Sequence, residues 1–129
     1  MRVRSNVRGE DVRIYRLRMT PANAQVLLRE YVAAVNDLAR TPRFYNTLTA
    51  NCTNLVFDMV RVTHPGLPMD TRVLFSGYLP SYAYDLGATD TSVSFEKLRD
   101  LSKIHDKAAL ADADPNFSAR IREGVPAPR

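Results

Sequence analysis

The chain has 129 residues, 45% of them hydrophobic, which is enough for one domain with one modest core. Its formal net charge is +4, but the arginines crowding the first eighteen residues do not form a stripe with interleaved aromatic side chains, so we expect no nucleic-acid binding. A single cysteine excludes an internal disulfide. The sequence contains no signal-peptide pattern and no apolar run long enough for a membrane helix.

The first nineteen residues predict a β-hairpin. Residues 2–7 and 12–19 carry β-branched and apolar side chains such as Val12 and Ile14, and the turn-forming segment Arg8-Gly9-Glu10-Asp11 separates them. A two-stranded ribbon is only marginally stable alone. We therefore expect the hairpin to extend a larger sheet.

The next segment predicts a long amphipathic helix. Thr20 is a good N-cap and Pro21 suits the first helical position, so the helix begins there and continues to about Arg40. Its apolar residues recur at helical spacing and predict one buried stripe, made of Leu27, Leu28, Tyr31, Val35 and Leu38. The dipeptide Thr41-Pro42 ends the helix.

The rest of the chain predicts further helices. One begins at Cys52 and continues to about Val62, where the segment His64-Pro65-Gly66-Leu67-Pro68 breaks the pattern. Shorter helices are expected at 70–76, 79–86, 94–104, 108–113 and 117–123. Gly87 is expected to end the helix before it.

The position of Cys52 at the first turn of a helix makes it a candidate nucleophile. Unpaired N–H groups and the positive end of the helix dipole stabilise a thiolate there, and they lower the thiol pKa from about 8.5 toward neutrality. Asn51 and Thr53 flank the cysteine and can bond to local backbone groups. The alternative is a small buried side chain with a packing role, which is common for a lone cysteine.

A reactive cysteine also needs a base within hydrogen-bond reach. His64 lies twelve residues beyond Cys52, about 18 Å along a continuous helix, which places it at the opposite end from the thiol. His105 follows a predicted helix and could return in space toward the thiol, but we expect it to serve that helix's C-terminal end. One cysteine and two separated histidines predict no metal site, and without a phosphate-binding or dinucleotide motif we expect no cofactor.

Three segments carry a resemblance to a known family: Arg-Phe-Tyr-Asn-Thr-Leu-Thr-Ala-Asn-Cys-Thr at 43–53, Leu-Phe-Ser-Gly-Tyr-Leu-Pro at 74–80 with Tyr-Asp-Leu-Gly at 84–87, and Ala-Asp-Ala-Asp-Pro-Asn-Phe-Ser-Ala-Arg-Ile at 111–121. They are similar to the bacterial Lnb N-terminal periplasmic domain family, and the resemblance covers nearly the whole chain. It implies a circularly permuted papain-like fold of the NlpC type and N-acylation of lipoproteins by a thioester route. It makes Cys52 the catalytic residue, with Tyr45, Asn51 and Thr53 as supporting neighbours.

The resemblance also implies that the chain is one part of a larger domain. In permuted enzymes of this kind the histidine precedes the cysteine, and family members are expected to have membrane helices, strands and that histidine upstream. We therefore expect residues 1–129 to form a single, partial domain with an α+β, helix-rich fold and an N-terminal hairpin, inactive alone. Lipid or lipoprotein substrates, a periplasmic or membrane-associated location, and membrane attachment through an upstream segment or a partner chain follow from the same resemblance.

Two other functions share this sequence pattern. The chain can be a non-catalytic remnant or interaction module in which Cys52 is structural. Alternatively, the same nucleophile can serve a cysteine peptidase or amidase acting on cell-wall peptides. A histidine near the sulfur would separate both enzymes from the interaction module.

Overall fold

Helices are the main regular structure of the chain. The computed structural model describes residues 1–46 and 52–128, and in these ranges it contains six α-helices together with short π- and 3₁₀-helical turns. The α-helices are α1 (Pro21–Arg40), α2 (Cys52–Thr63), α3 (Leu79–Asp85), α4 (Phe95–Leu101), α5 (His105–Leu110) and α6 (Phe117–Arg120). The π-helical turn is Val3–Val7, and the 3₁₀ turns are Thr71–Leu74 and Ser76–Tyr78.

The predicted α+β fold with an N-terminal hairpin is wrong, because the described residues contain no β-strand. Residues 3–7 form the π-helical turn instead, closed by the Arg8 backbone N–H donating to the Val3 carbonyl at 3.0 Å. The second predicted strand is extended only locally, with one isolated antiparallel bridge between Arg13 and Lys103. The papain-like sheet expected from the resemblance is likewise not seen in these ranges.

The hairpin prediction failed because the apolar side chains of residues 12–14 have a different partner. The Ile104 N–H donates to the Val12 carbonyl at 3.1 Å, and the Ile14 N–H donates to the Ser102 carbonyl at 2.9 Å. Val12 and Ile14 then pack against a helical core. Alternating apolar residues indicate a half-buried extended segment, but they do not determine whether a strand or a helix covers it.

The chain divides into two compact units. Unit 1 comprises Met1–Arg18 and Ala83–Arg129, and unit 2 comprises Met19–Tyr82. The core of unit 1 is formed by Ile104, Ala108, Ile121 and Val125, each at most 5% exposed. The π-helical turn packs on α5 in this unit, where the Asn6 side-chain amide donates to the Ala108 carbonyl at 2.8 Å.

Unit 2 has a smaller core, in which Phe57, Val73 and Tyr82 are buried together. The Tyr82 hydroxyl donates to the Pro68 carbonyl at 2.5 Å, which satisfies its one polar group. Burial raises the pKa of this phenol above its usual value. No helix in the described ranges is long and apolar enough to cross a membrane.

The long helix α1 begins as predicted, but the face that packs on α2 is not the predicted apolar stripe. The Thr20 hydroxyl accepts a hydrogen bond from the Asn23 N–H at 3.2 Å, and Pro21 is the first helical residue. The predicted buried stripe is wrong, because no residue of α1 is buried and Leu28 is 62% exposed. Other exposed members of that stripe are Tyr31, Val35 and Leu38. α1 packs on α2 through a different face, which includes the half-buried Ala34.

Candidate functional site

Cys52 is the first residue of α2, which extends over Cys52–Thr63. This agrees with the predicted helix and with the position expected for the nucleophile. Asn51, the supporting residue before it, lies outside the described residues. The catalytic role of Cys52 stays a prediction. The structure contributes the helical conformation of residues 52–63.

The two other predicted supporting residues lie in different environments. Thr53 is buried, with 5% of its surface exposed, in the first turn of α2. Tyr45 is 69% exposed. Burial of Thr53 at the second helical position is compatible with packing that holds the start of α2, whereas the Tyr45 phenol is open to solvent.

His64, the histidine in the sequence of unit 2, lies at the opposite end of α2 from Cys52. His64 follows the last residue of α2, and its Nδ1 atom lies 2.9 Å from the Thr63 hydroxyl oxygen. The helix rise places it about 18 Å along the axis from Cys52. It is the only histidine in the sequence of unit 2.

The prediction for His105 is wrong. We expected it at the C-terminal end of a helix, but α4 ends at Leu101 and His105 is the first residue of α5. A cationic histidine is not stabilised by the helix dipole at that end. His105 belongs to unit 1, and no glycine or proline marks the short break before it.

Within unit 2, a groove of about 400 Å³ lies between α1 and α2. Its apolar lining comes from Ala33 and Ala34 of α1 and from Leu55, Met59 and Val62 of α2. This groove was not predicted from the sequence. A signal was present in α2, since its three apolar positions follow one another at spacings of four and three residues and therefore share one helix face.

Three carboxylates accompany the apolar lining of the groove: Glu30, Asp37 and Asp58. Asp37 forms an ion pair with Arg43. Glu30 and Asp58 form no ion pair within the described ranges. The groove is therefore acidic although the chain as a whole carries a net charge of +4.

A fourth carboxylate of unit 2, Asp70, has a structural role instead. Asp70 accepts hydrogen bonds from the Arg72 backbone N–H at 2.8 Å and from the Arg72 guanidinium at 2.8 and 3.0 Å. The Arg72 side chain is the main cause of a lowered pKa for this carboxyl. Asp70 thus caps the 3₁₀ turn Thr71–Leu74. Among the described residues, no three His, Cys, Asp or Glu side chains are grouped so that they could hold a metal ion.

Comparison with known protein families identifies the class of domain. The model of the Lnb N-terminal periplasmic domain matches residues 1–77, more than half of the chain. The chain therefore belongs to the Lnb N-terminal periplasmic domain family. No curated protein and no solved structure matches it.

The matched range bears on the resemblance stated from the sequence. It includes the 43–53 segment with Cys52 and ends within the 74–80 segment. The segments at 84–87 and 111–121 lie outside it. Family membership, and with it the periplasmic class of domain, thus rests on the N-terminal part of the chain.

Proposed function

We propose that the chain is part of a thiol-dependent acyltransferase acting on lipid or lipoprotein substrates, with Cys52 as its nucleophile. The observation that carries this proposal is the position of Cys52 as the first residue of α2, within the range that matches the family. Backbone N–H groups and the dipole at a helix start favour a thiolate. The resemblance assigns supporting roles to Tyr45, Asn51 and Thr53.

The proposed reaction has two acyl-transfer steps. The Cys52 thiolate attacks the carbonyl carbon of an ester donor, a carbon–sulfur bond forms, and the alcohol leaves after taking up a proton. An amine then attacks the thioester, an amide forms, and the thiol is regenerated as the amine loses its proton. The backbone N–H of Cys52 is suited to stabilise the oxyanion in both steps.

A base for this reaction comes from outside unit 2 in our proposal. Its only histidine, His64, lies about a helix length from Cys52. We therefore assign the base to an upstream segment or a partner chain, and His105→Ala tests the alternative that His105 of unit 1 supplies it. Loss of a general base costs about 100- to 10,000-fold in rate, so the 129-residue chain should be nearly inactive alone.

The test compares the 129-residue chain with a version extended upstream, both in lipid vesicles with an amine-bearing lipopeptide. We expect the extended protein to acylate the lipopeptide, as followed by mass spectrometry, and Cys52→Ala to abolish the reaction. His64→Ala is the matched control and should have little effect. Full activity of the extended Cys52→Ala protein would disprove the nucleophile.

The remoteness of His64 specifically favours a second candidate, a non-catalytic interaction module with a structural cysteine. In that case neither protein forms a thioester, and hydroxylamine releases no acyl group from either. A third outcome, Cys52-dependent cleavage of a cell-wall peptide without lipopeptide acylation, would identify a peptidase or amidase instead.

A further inference from the structure

We infer that the groove between α1 and α2 binds a cationic amphiphile, a molecule with one apolar chain and a positively charged amine head. Its volume of about 400 Å³ lies in the range of small-molecule sites. In the proposed reaction, the bound amphiphile is the amine that accepts the acyl group. This role as acceptor rests on the proposed function. The binding itself depends on the groove alone.

The apolar lining explains why the occupant carries a hydrocarbon chain. Leu55, Met59 and Val62 contribute from three successive turns of α2, and small alanines on α1 leave the space between the helices open. From Leu55 to Val62 the helix rises about 10 Å. A linear chain laid along this face therefore contacts apolar side chains over about two turns of α2.

The charges of the groove explain why the head group is cationic. Glu30 and Asp58 lie at the groove without an ion-pair partner in the described ranges, while Asp37 is neutralised by Arg43. Among the described residues, no lysine or arginine contributes to the lining. Phosphate and carboxylate head groups are repelled by this arrangement, whereas an ammonium group is attracted.

The groove and the candidate nucleophile belong to the same helix. Leu55 and Met59 of the lining follow Cys52 by three and seven positions in α2. The other end of the lining reaches Val62, close to His64 in the sequence. An amphiphile in the groove is therefore aligned with the helix that Cys52 begins.

Binding is tested on the full 129-residue chain carrying Cys52→Ala, so that thiol chemistry cannot contribute. The probes are dodecylamine, dodecanol and dodecanoate below their aggregation concentrations, followed by NMR shifts of methyl groups in Ala33, Ala34, Leu55, Met59 and Val62. We expect dodecylamine to bind most tightly and dodecanoate most weakly. Glu30, which is half-buried, and Asp58, which is exposed, should each contribute up to about five-fold in affinity.

Charge-removing variants separate the head-group effect from the apolar effect. Glu30→Gln with Asp58→Asn should remove the preference for dodecylamine and leave dodecanol binding unchanged. Glu96→Gln, an exposed acid on α4 of unit 1, is the matched control and should change neither. Circular dichroism confirms that each variant retains its helices.

Two results would overturn the inference: dodecanoate binding as tightly as dodecylamine, or shifts at Tyr31 and Val35 in place of the groove methyl groups. The proposed function fails separately. Selective dodecylamine binding without Cys52-dependent acylation by the extended protein would retain the groove and reject the acyltransferase. Cys52-dependent acylation by the extended protein, without dodecylamine binding in the groove, would retain the acyltransferase and reject the groove as an amine site.

Discussion

Unit 1 and unit 2 differ in how their helices are stabilised. In unit 1, the six-residue helix α5 contains Ala108, which is fully buried, and it adjoins Ile104 at 0% exposure. In unit 2, the twenty-residue helix α1 contains no buried residue at all. Short helices are marginal in water unless their faces are packed. The comparison shows that α5 depends on tertiary burial, whereas α1 depends mainly on its own backbone bonds and its cap.

The candidate catalytic and binding residues belong to the unit with the smaller core. Cys52, the groove and the carboxylates Glu30 and Asp58, which have no ion-pair partner among the described residues, all belong to unit 2, which has the smaller buried core. Regions with few buried apolar contacts open at lower free energy than well-packed cores. Binding sites are commonly drawn from such regions, because their surfaces are available for a ligand to cover.

The largest expected effect is on the core of unit 1. Ile104→Ala should lower the free energy of unfolding by about 2 to 5 kcal/mol, because a fully buried side chain is lost and a cavity remains. Leu28→Ala on α1 is the matched control and should stay within about 0.5 kcal/mol. Urea unfolding followed by circular dichroism measures both. Equal losses would mean that α1 is as well packed as α5, and the comparison would fail.

The next effect is on the start of α1. Thr20→Ala removes the hydroxyl that accepts the Asn23 N–H, and it should cost about 1 kcal/mol. Because α1 has no buried residue, the cost should appear as fraying of its first turn, measured by hydrogen exchange of amides 22–24. Thr20→Ser keeps the acceptor and should restore protection. Unchanged exchange in Thr20→Ala would show that packing, not capping, holds this end.

Local signals predicted much of the helical structure. The Thr20 cap and Pro21 correctly predicted the start of α1, and the helix predicted over 52–62 is observed as Cys52–Thr63. Gly87 follows α3 with a φ of 67°, a left-handed conformation that suits glycine at a helix end. These signals succeed because capping and turn chemistry act over a few neighbouring residues.

Tertiary partners could not be predicted in the same way. The apolar pattern at Val12 and Ile14 is satisfied by residues about ninety positions away, so it produced a hairpin prediction that was wrong. The stripe of α1 was assigned to the core from periodicity alone, although α2 packs on another face. For the candidate site, the position of Cys52 was predictable. The groove was not, because it depends on how α1 and α2 are placed against each other.

The smallest expected effect compares one carboxylate from each unit under acid conditions. In unit 1, hydrogen bonding from Arg4, at 2.6 Å from the arginine Nε atom, is the main cause of a lowered pKa for Glu10. In unit 2, the Arg72 side chain does the same for Asp70. A carboxyl whose folded pKa is lowered stabilises the fold above its unfolded pKa, and that contribution is lost as the pH falls through the folded pKa.

Asp70→Asn should therefore reduce the loss of stability that unit 2 shows as the pH falls below about 4. The Tyr82 ring signals in an NMR titration report this loss. Glu10→Gln should reduce the corresponding loss of stability in unit 1, which the Ile104 methyl signals report. Each variant serves as the control for the other, because in the described part of the chain the Asp70 carboxylate bonds to Arg72 in its own 3₁₀ turn, whereas the Glu10 carboxylate bonds to Arg4 and Arg8. If either substitution shifted the acid response of both reporters equally, the two units would unfold together, and the difference in burial between α1 and α5 would not translate into separate stabilities.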